Sequence, residues 1–410
     1  MEHRMAPGET RKRKATEDAH SSLFSLDELN QDMLERVLSC LPAASFFRLR
    51  SVCKRWRSIA SSATFRMLCS QIPSRDPWFL MVDQELEHSV AFDTSEGNWK
   101  SRLPPIQSQE GQSSKFIPVA ASGGLVCYRT VSGGLSICNP VTGACRLLPQ
   151  AVQDGESLPL HVIAMNSFPR GSSSYKIVLV SGELPNLAFR VFDSSKSTWG
   201  WDDEVKLVHK IESSSESRTF GDGIVYFLSK TGDVVATNMQ RSPSKQFSSV
   251  LTMENGEEIV YFISQSGSIV ACNLSQKTFV EYPRLLPIYL DYSIDVVECS
   301  GEVFVVVLSE FLETASLRVW KFHKEARSWQ QVAAMPPWMS HEFYGKKVDI
   351  NCAGWGNMIL ICASSKQFSS CVMFNMEANE WVELPECSVN GKSKKFMSAF
   401  SFEPRLEAAA

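Results

Sequence analysis

The chain has 410 residues, a formal net charge of −4 at pH 7, 44% hydrophobic residues and ten tryptophans. That length exceeds one ordinary domain and supplies ample apolar mass for a large core. The small net charge excludes bulk attraction to nucleic acid or to an anionic membrane as the main basis of partnership.

Residues 1–25 read as a polar tail without the apolar stretch of a secretory signal. Its basic run, Arg11-Lys12-Arg13-Lys14, reads equally as a nuclear import signal or as a solvated segment. From Gln31 to Cys40 the spacing of Leu34, Val37, Leu38 and Leu41 predicts an amphipathic helix, capped by Asn30 and stopped by Pro42. A second helix is expected through Phe46, Leu49, Val52, Cys53, Trp56, Ile59 and Ala60, with Arg48, Arg50, Lys54, Arg55 and Arg57 mostly on its other faces. Helices this short and this apolar require cover from a partner protein or from a neighbouring domain.

Leu29, Met33-Leu34, Val37-Leu38, Leu41-Pro42 and the run Val52-Cys53-Lys54-Arg55-Trp56 give residues 26–70 the look of an F-box. The usual Leu-Pro opening of that family reads Leu29-Asn30 here. The resemblance implies docking to a SKP1-like adaptor, and through it to a cullin, by Leu29, Met33, Leu34, Val37, Leu38, Leu41, Pro42, Phe46, Leu49, Val52 and Trp56.

Beyond Arg75 the apolar spacing changes from helical to short alternating runs bounded by Gly, Ser and Asn, which predicts an all-β region. The longest apolar runs, such as Val303 to Leu308, are strand-sized, so no segment is expected to span a bilayer. A hairpin unit recurs, in which Asp, Asn or His closes one strand and a large residue stands six positions later. The pairs are Asp93 and Trp99, Asn139 and Cys145, Asp193 and Trp199, Asn273 and Phe279, His323 and Trp329, and Asn375 and Trp381. The acid or amide starts a tight turn, and the following large residue is expected to face the core. Leu-Pro pairs such as Leu103-Pro104, Leu148-Pro149 and Leu384-Pro385 mark the end of an edge strand.

A further copy lies in the middle, where Ile224 to Asn238 aligns without gaps with Ile259 to Asn273. Counting it gives seven units at intervals of about 35 to 54 residues, near the length of one propeller blade. The strand after the last hairpin, Lys395 to Phe402, is left over and is expected to complete the first blade and close the ring. The predicted fold is therefore α+β and multidomain: a small all-α F-box, then an all-β propeller over residues 71–404 with seven blades, six being the alternative, and a tail at 405–410. The repeats resemble the kelch type, with paired glycines clear at Gly123-Gly124 and Gly133-Gly134, and the whole arrangement, including its FEPRLE ending, resembles plant F-box/kelch proteins of the Hawaiian skirt kind.

Signals for catalysis are thin. The seven histidines, His3, His20, His88, His161, His209, His323 and His341, are dispersed, and no metal or cofactor is expected. Gly391-Lys392-Ser393 lacks the leading glycine of a phosphate loop, because Glu386 stands in its place. Twelve cysteines without a Cys-x-x-Cys pair read as reduced, buried thiols, Cys53 included, in a nuclear or cytoplasmic protein. The resemblance implies a non-catalytic receptor of an SCF-type ubiquitin ligase that holds a target protein on the propeller. A non-degradative adaptor or transcriptional cofactor and, behind it, a propeller enzyme are the alternatives. Target-binding residues are unassigned by the sequence; Tyr282, Trp338 and Trp355, and the polar segments 154–159, 202–217 and 336–345, are the candidates for a binding face.

Overall fold

Asn30 starts the first helix as its position predicts. Its side-chain oxygen accepts the Met33 N–H at 2.8 Å and opens α1, Gln31–Ser39, with Asp32 in the first turn. These and all later observations come from a computed structural model, which describes residues 29–83, 89–101, 103–104, 116–130, 132–151, 160–167, 174–200, 205–209, 224–228, 234–238, 248–264, 267–286, 292–389, 391–394 and 396–410. The basic run at 11–14 and the segment 154–159 lie outside them.

The single second helix expected through Ala60 is divided in two, α2 (Ala43–Leu49) and α3 (Lys54–Ile59), and a further helix, α4 (Ala63–Ser70), follows beyond it. At Cys53 the backbone is extended, with φ −152°, and the thiol Sγ accepts the Trp56 N–H at 3.5 Å. Cys53 is therefore a half-buried helix cap, where a buried packing thiol was expected. The apolar spacing runs on through the break because all the helices converge on one centre, formed by Leu34, Leu38, Phe46, Trp56, Ile59, Phe65 and Cys69. The rings of Phe46 and Phe65 stack in it at 4.9 Å.

Among the described residues the strands form six antiparallel blades, two of which, blades 3 and 4, are joined into one larger sheet. Their inner strands are Phe396–Phe402, Phe116–Ser122, Leu160–Ser167, Ser249–Glu254, Tyr292–Cys299 and Asp349–Trp355 for blades 1 to 6. All six line one central channel. Blade 1 takes its inner strand from the end of the chain: Trp78 stands opposite Phe402 and Leu80 opposite Phe400, so the predicted ring closure is observed. Six apolar clusters fill the six junctions between neighbouring blades.

Among the described residues a seventh four-stranded blade is not formed. Ile224–Leu228 and Val234–Asn238 pair in the register of their twin, Ile224 opposite Asn238 as Ile259 is opposite Asn273. Among the described residues they form a two-stranded ladder that joins no other sheet. Blades 3 and 4 already meet directly, since Val162, Ala164, Val178 and Val180 pack on Val260, Phe262, Val270 and Cys272, and Ser249 Oγ donates to the Ile163 carbonyl at 3.2 Å. The strand Val205–His209 ties them further, pairing with Asn186–Asp193 on one side and, in parallel, with Thr278–Glu281 of blade 4 on the other. The sequence doubling thus counts hairpins correctly and blades one too many.

The repeated unit works as expected and carries an addition. Asp93 Oδ1 accepts the N–H groups of Ser95 and Glu96, and Asn139, Asp193, Asn273 and Asn375 act likewise. The residue before each acid or amide stands opposite the large residue, as in Phe92 with Trp99 and Phe192 with Trp199. The addition lies between blades: Trp99 Nε1 donates to the Pro385 carbonyl at 2.7 Å, Trp199 Nε1 to Pro149 at 2.8 Å, and Trp329 Nε1 to Pro283 at 2.7 Å. The prolines that end the outer strands are therefore also acceptors for the next blade. In blade 2 the large residue is replaced by Cys145, which stands opposite Cys138 and is joined to it by a disulfide. That pair departs from the expectation that all thiols are reduced; the antiparallel register sets the two residues directly opposite each other.

Candidate functional site

The eleven residues expected to meet an adaptor divide by burial. Leu34, Leu38, Phe46 and Trp56 are at most 5% exposed and form the centre of the helical domain. Their side chains face the interior of that domain in this structure. Leu29, Leu41 and Leu49 are half-buried against the same centre, and Pro42 is exposed. Met33 is 51% exposed, Val37 43% and Val52 65%. Met33 and Val37 lie one turn apart on α1. The turn bearing Val52 leads into α3, whose Arg55 donates to the Leu29 carbonyl at 2.6 Å and thereby holds that end of α3 against the start of α1.

A different side of the domain sits on the ring. Ala43, Ala44 and Phe47 of α2 enter the cluster between blades 1 and 2, against Trp78, Tyr128, Val141 and Phe402. Arg48 makes a bidentate pair with Glu96 at 2.6 and 3.2 Å, and Arg75 donates to the carbonyls of Leu41 and Ser39 at 2.9 and 2.8 Å. Residues 405–410, expected to be a tail, are wedged into the seam. Arg405 is 5% exposed, donates to the Ile72 and Pro73 carbonyls at 3.2 and 3.1 Å, and pairs with Glu403 and Glu407. Leu406 packs on the helical core and on the blade 1–2 cluster, while the Asn139 amide donates to the carbonyls of Arg405 and Ala408. The sequence signal was an arginine between two glutamates in a segment rich in apolar residues, which a terminal position disguised.

Strand alternation gives the ring two faces. Turns joining inner to second strands and third to outer strands share the face that carries the helical domain: Glu96 lies in one and Asn139 to Ala144 in another. Turns joining second to third strands, and outer strands to the next blade, share the far face. Of the three segments singled out by length and polarity, 336–345 joins blade 5 to blade 6 in this second way and so lies on the far face, while 154–159 and most of 202–217 lie outside the described residues. Of the three candidate aromatics, only Trp338 is openly displayed, at 76% exposed. It sits in α5, Pro337–Ser340, on the far face. Tyr282 is stacked on Phe322 at 4.2 Å between blades 4 and 5, and Trp355, on the near face, packs into the blade 6–1 cluster.

The sequence missed the partner of Trp338. Beside it the hairpin Phe311–Thr314 projects Phe311, 56% exposed, and Leu312, 77% exposed. Gly345 N donates to Glu310 Oε2 at 3.3 Å and Ser340 Oγ to the Ala315 carbonyl at 2.9 Å, which fixes the two segments together. Leu312 and Glu313 have φ of +47° and +60°, a turn normally made with Asn-Gly. No such pair marks this hairpin in the sequence.

Among the described residues no group of three metal-binding side chains stands together, and no helix is long and apolar enough to cross a membrane. Gly391-Lys392-Ser393 forms part of a short hairpin with Ser388–Val389. Residues 26–68 match the F-box domain family, and residues 69–340 match the KIB1-4 beta-propeller family. The chain is an F-box protein with a KIB1-4 propeller. It is 47% identical over 413 residues to F-box only protein 13 of Arabidopsis thaliana, covering 98% of this chain and 90% of that one. It is 25% identical to F-box only protein 6 of the same plant, over 93% of this chain and 75% of the relative. An Arabidopsis F-box/kelch-repeat protein is 32% identical over 47% of this F-box protein and 49% of its own length, in keeping with the likeness to that group.

Proposed function

We propose that this F-box protein is the substrate-recognition subunit of an SCF-type ubiquitin ligase. Its α1 edge docks a SKP1-like adaptor, and through it a cullin, while the far face of the propeller holds the target protein. One observation carries the reading: Met33, Val37 and Val52 stay exposed although the ring covers the α2 side of the same small domain. Apolar residues displayed in this way are interface anchors. The chain contributes no bond-making groups; it raises the effective concentration of a target lysine beside the loaded conjugating enzyme.

On the far face, Phe311, Leu312 and Trp338 are the anchors for the target, since large exposed aromatic and aliphatic side chains dominate binding when buried by a partner. Localisation to nucleus or cytoplasm belongs to the same proposal, with Arg11 to Lys14 as the import signal to be tested by substitution in a fluorescent fusion.

The test uses two variants. Val37→Ala with Val52→Ala removes about 1 to 2 kcal/mol of adaptor binding each, at least about tenfold together. Co-purification of adaptor at the wild-type level by this variant would sink the docking assignment. Leu312→Ala with Trp338→Ala keeps adaptor binding and abolishes target ubiquitination; proteins that accumulate under proteasome inhibition with the wild type no longer do so. Unchanged target abundance in both arms would favour a non-degradative adaptor.

A further inference from the structure

A cleft of about 740 Å3 lies between the helical domain and the rim of blade 1, outside both proposed docking surfaces. Its size is that of a small-molecule site, and such sites favour domain junctions. The apolar part of its lining comes from both sides: Ala44 and Phe47 of α2, Trp78, Trp99, Leu103 and Val141 of the ring. Four cations complete it, Arg48, Arg50, Arg66 and Lys100. Two of these are already answered, since Glu96 pairs with both Arg48 and Lys100, and the buried Asp93 stands 3.5 Å from Lys100.

Arg50 and Arg66 are left. Among the described residues neither guanidinium has a carboxylate partner, and Arg50 Nε is buried without an acceptor while the group lies 5.7 Å from the Phe47 ring centre. A buried donor without an acceptor burdens the fold, and an anion seated there relieves it. We propose that this cleft binds a small anion, carboxylate, sulfonate or phosphate, carried on an apolar ring system: Arg50 and Arg66 take the charge, and Phe47, Trp99 and Leu103 cover the rings.

The test is independent of adaptor docking, because none of these side chains is on the exposed α1 edge. Two probes of similar body are titrated into the full chain by fluorescence: anionic 8-anilinonaphthalene-1-sulfonate and neutral N-phenyl-1-naphthylamine. The expected result is that Arg50→Gln with Arg66→Gln weakens the sulfonate at least about tenfold and leaves the neutral probe unchanged, a loss typical of charge-assisted contacts. Thr142→Trp, which narrows the mouth of the cleft from an exposed turn, displaces both probes. The proposal is overturned if the double variant holds the sulfonate within about twofold of wild type, or if both probes still bind after Thr142→Trp. Adaptor capture by each variant, measured in parallel, separates failure here from failure of the ligase reading.

Discussion

The helical domain and the ring bury apolar side chains by different means. In the ring one device is repeated: an acid or amide shapes the turn, an aromatic follows, and at three junctions an indole N–H reaches the proline carbonyl of the preceding blade. The helical domain has one small core and is fixed to the ring by contacts that occur once, above all Arg405 with the carbonyls of Ile72 and Pro73. Repetition shares a defect among equivalent neighbours, whereas a single-copy seam leaves a defect uncompensated.

Four substitutions test that contrast. Phe46→Ala empties the stacked centre of the helical domain and costs about 3 to 5 kcal/mol. Hydrogen exchange then accelerates over residues 31–70 while the blades keep their protection. Loss of protection throughout the ring would show that the two regions fold as one unit. Arg405→Ala comes next at about 3 kcal/mol, because Glu403 and Glu407 remain buried without their cation. The loss is read as faster exchange at residues 72–75 and a wider spread of distances between helices and ring in double electron–electron resonance.

Trp329→Phe keeps an aromatic ring at the junction but removes the donor to Pro283 and part of the ring area, so about 1 kcal/mol is lost and the melting temperature falls by a few degrees at most. A fall as large as that of Arg405→Ala would refute the idea that repeated junctions share a defect.

The fourth change acts in the opposite direction. Burial pushes the Asp349 carboxyl up to about 6, and its Oδ1 has no hydrogen-bond partner among the described residues. The folded protein holds this proton more tightly than the unfolded chain. The site therefore costs nothing below about pH 4, and its full penalty appears as pH rises through 6. Asp349→Asn is expected to stabilise the ring by about 1 kcal/mol at pH 7.5, after allowance for solvent screening of a partly exposed group, and to have no effect at pH 4. Melting curves at the two values check the sign.

Much of this was legible in the residues. The Asn30 cap, the stop at Pro42, the Asp and Asn turns and the strand that closes the ring all follow from local chemistry or strict spacing, which a linear reading captures. Legibility failed where a residue's role depends on something distant in the chain. Apolar spacing marks Leu34, Leu38, Met33 and Val37 alike, yet α4 and Trp56 enclose the first two and leave the others bare. The doubled segment at Ile224 and Ile259 shows two hairpins, but whether a hairpin becomes a blade depends on finding an inner strand and a place in the ring.

By itself the sequence determined that short helices precede a ring of small sheets, because capping, turn formation and two-residue alternation act between near neighbours. Tertiary structure alone decided the number of blades, the wedging of the chain's last residues into the seam, and which apolar groups face outward. Those outcomes depend on how surfaces from remote segments fill shared volume, and no local pattern encodes that.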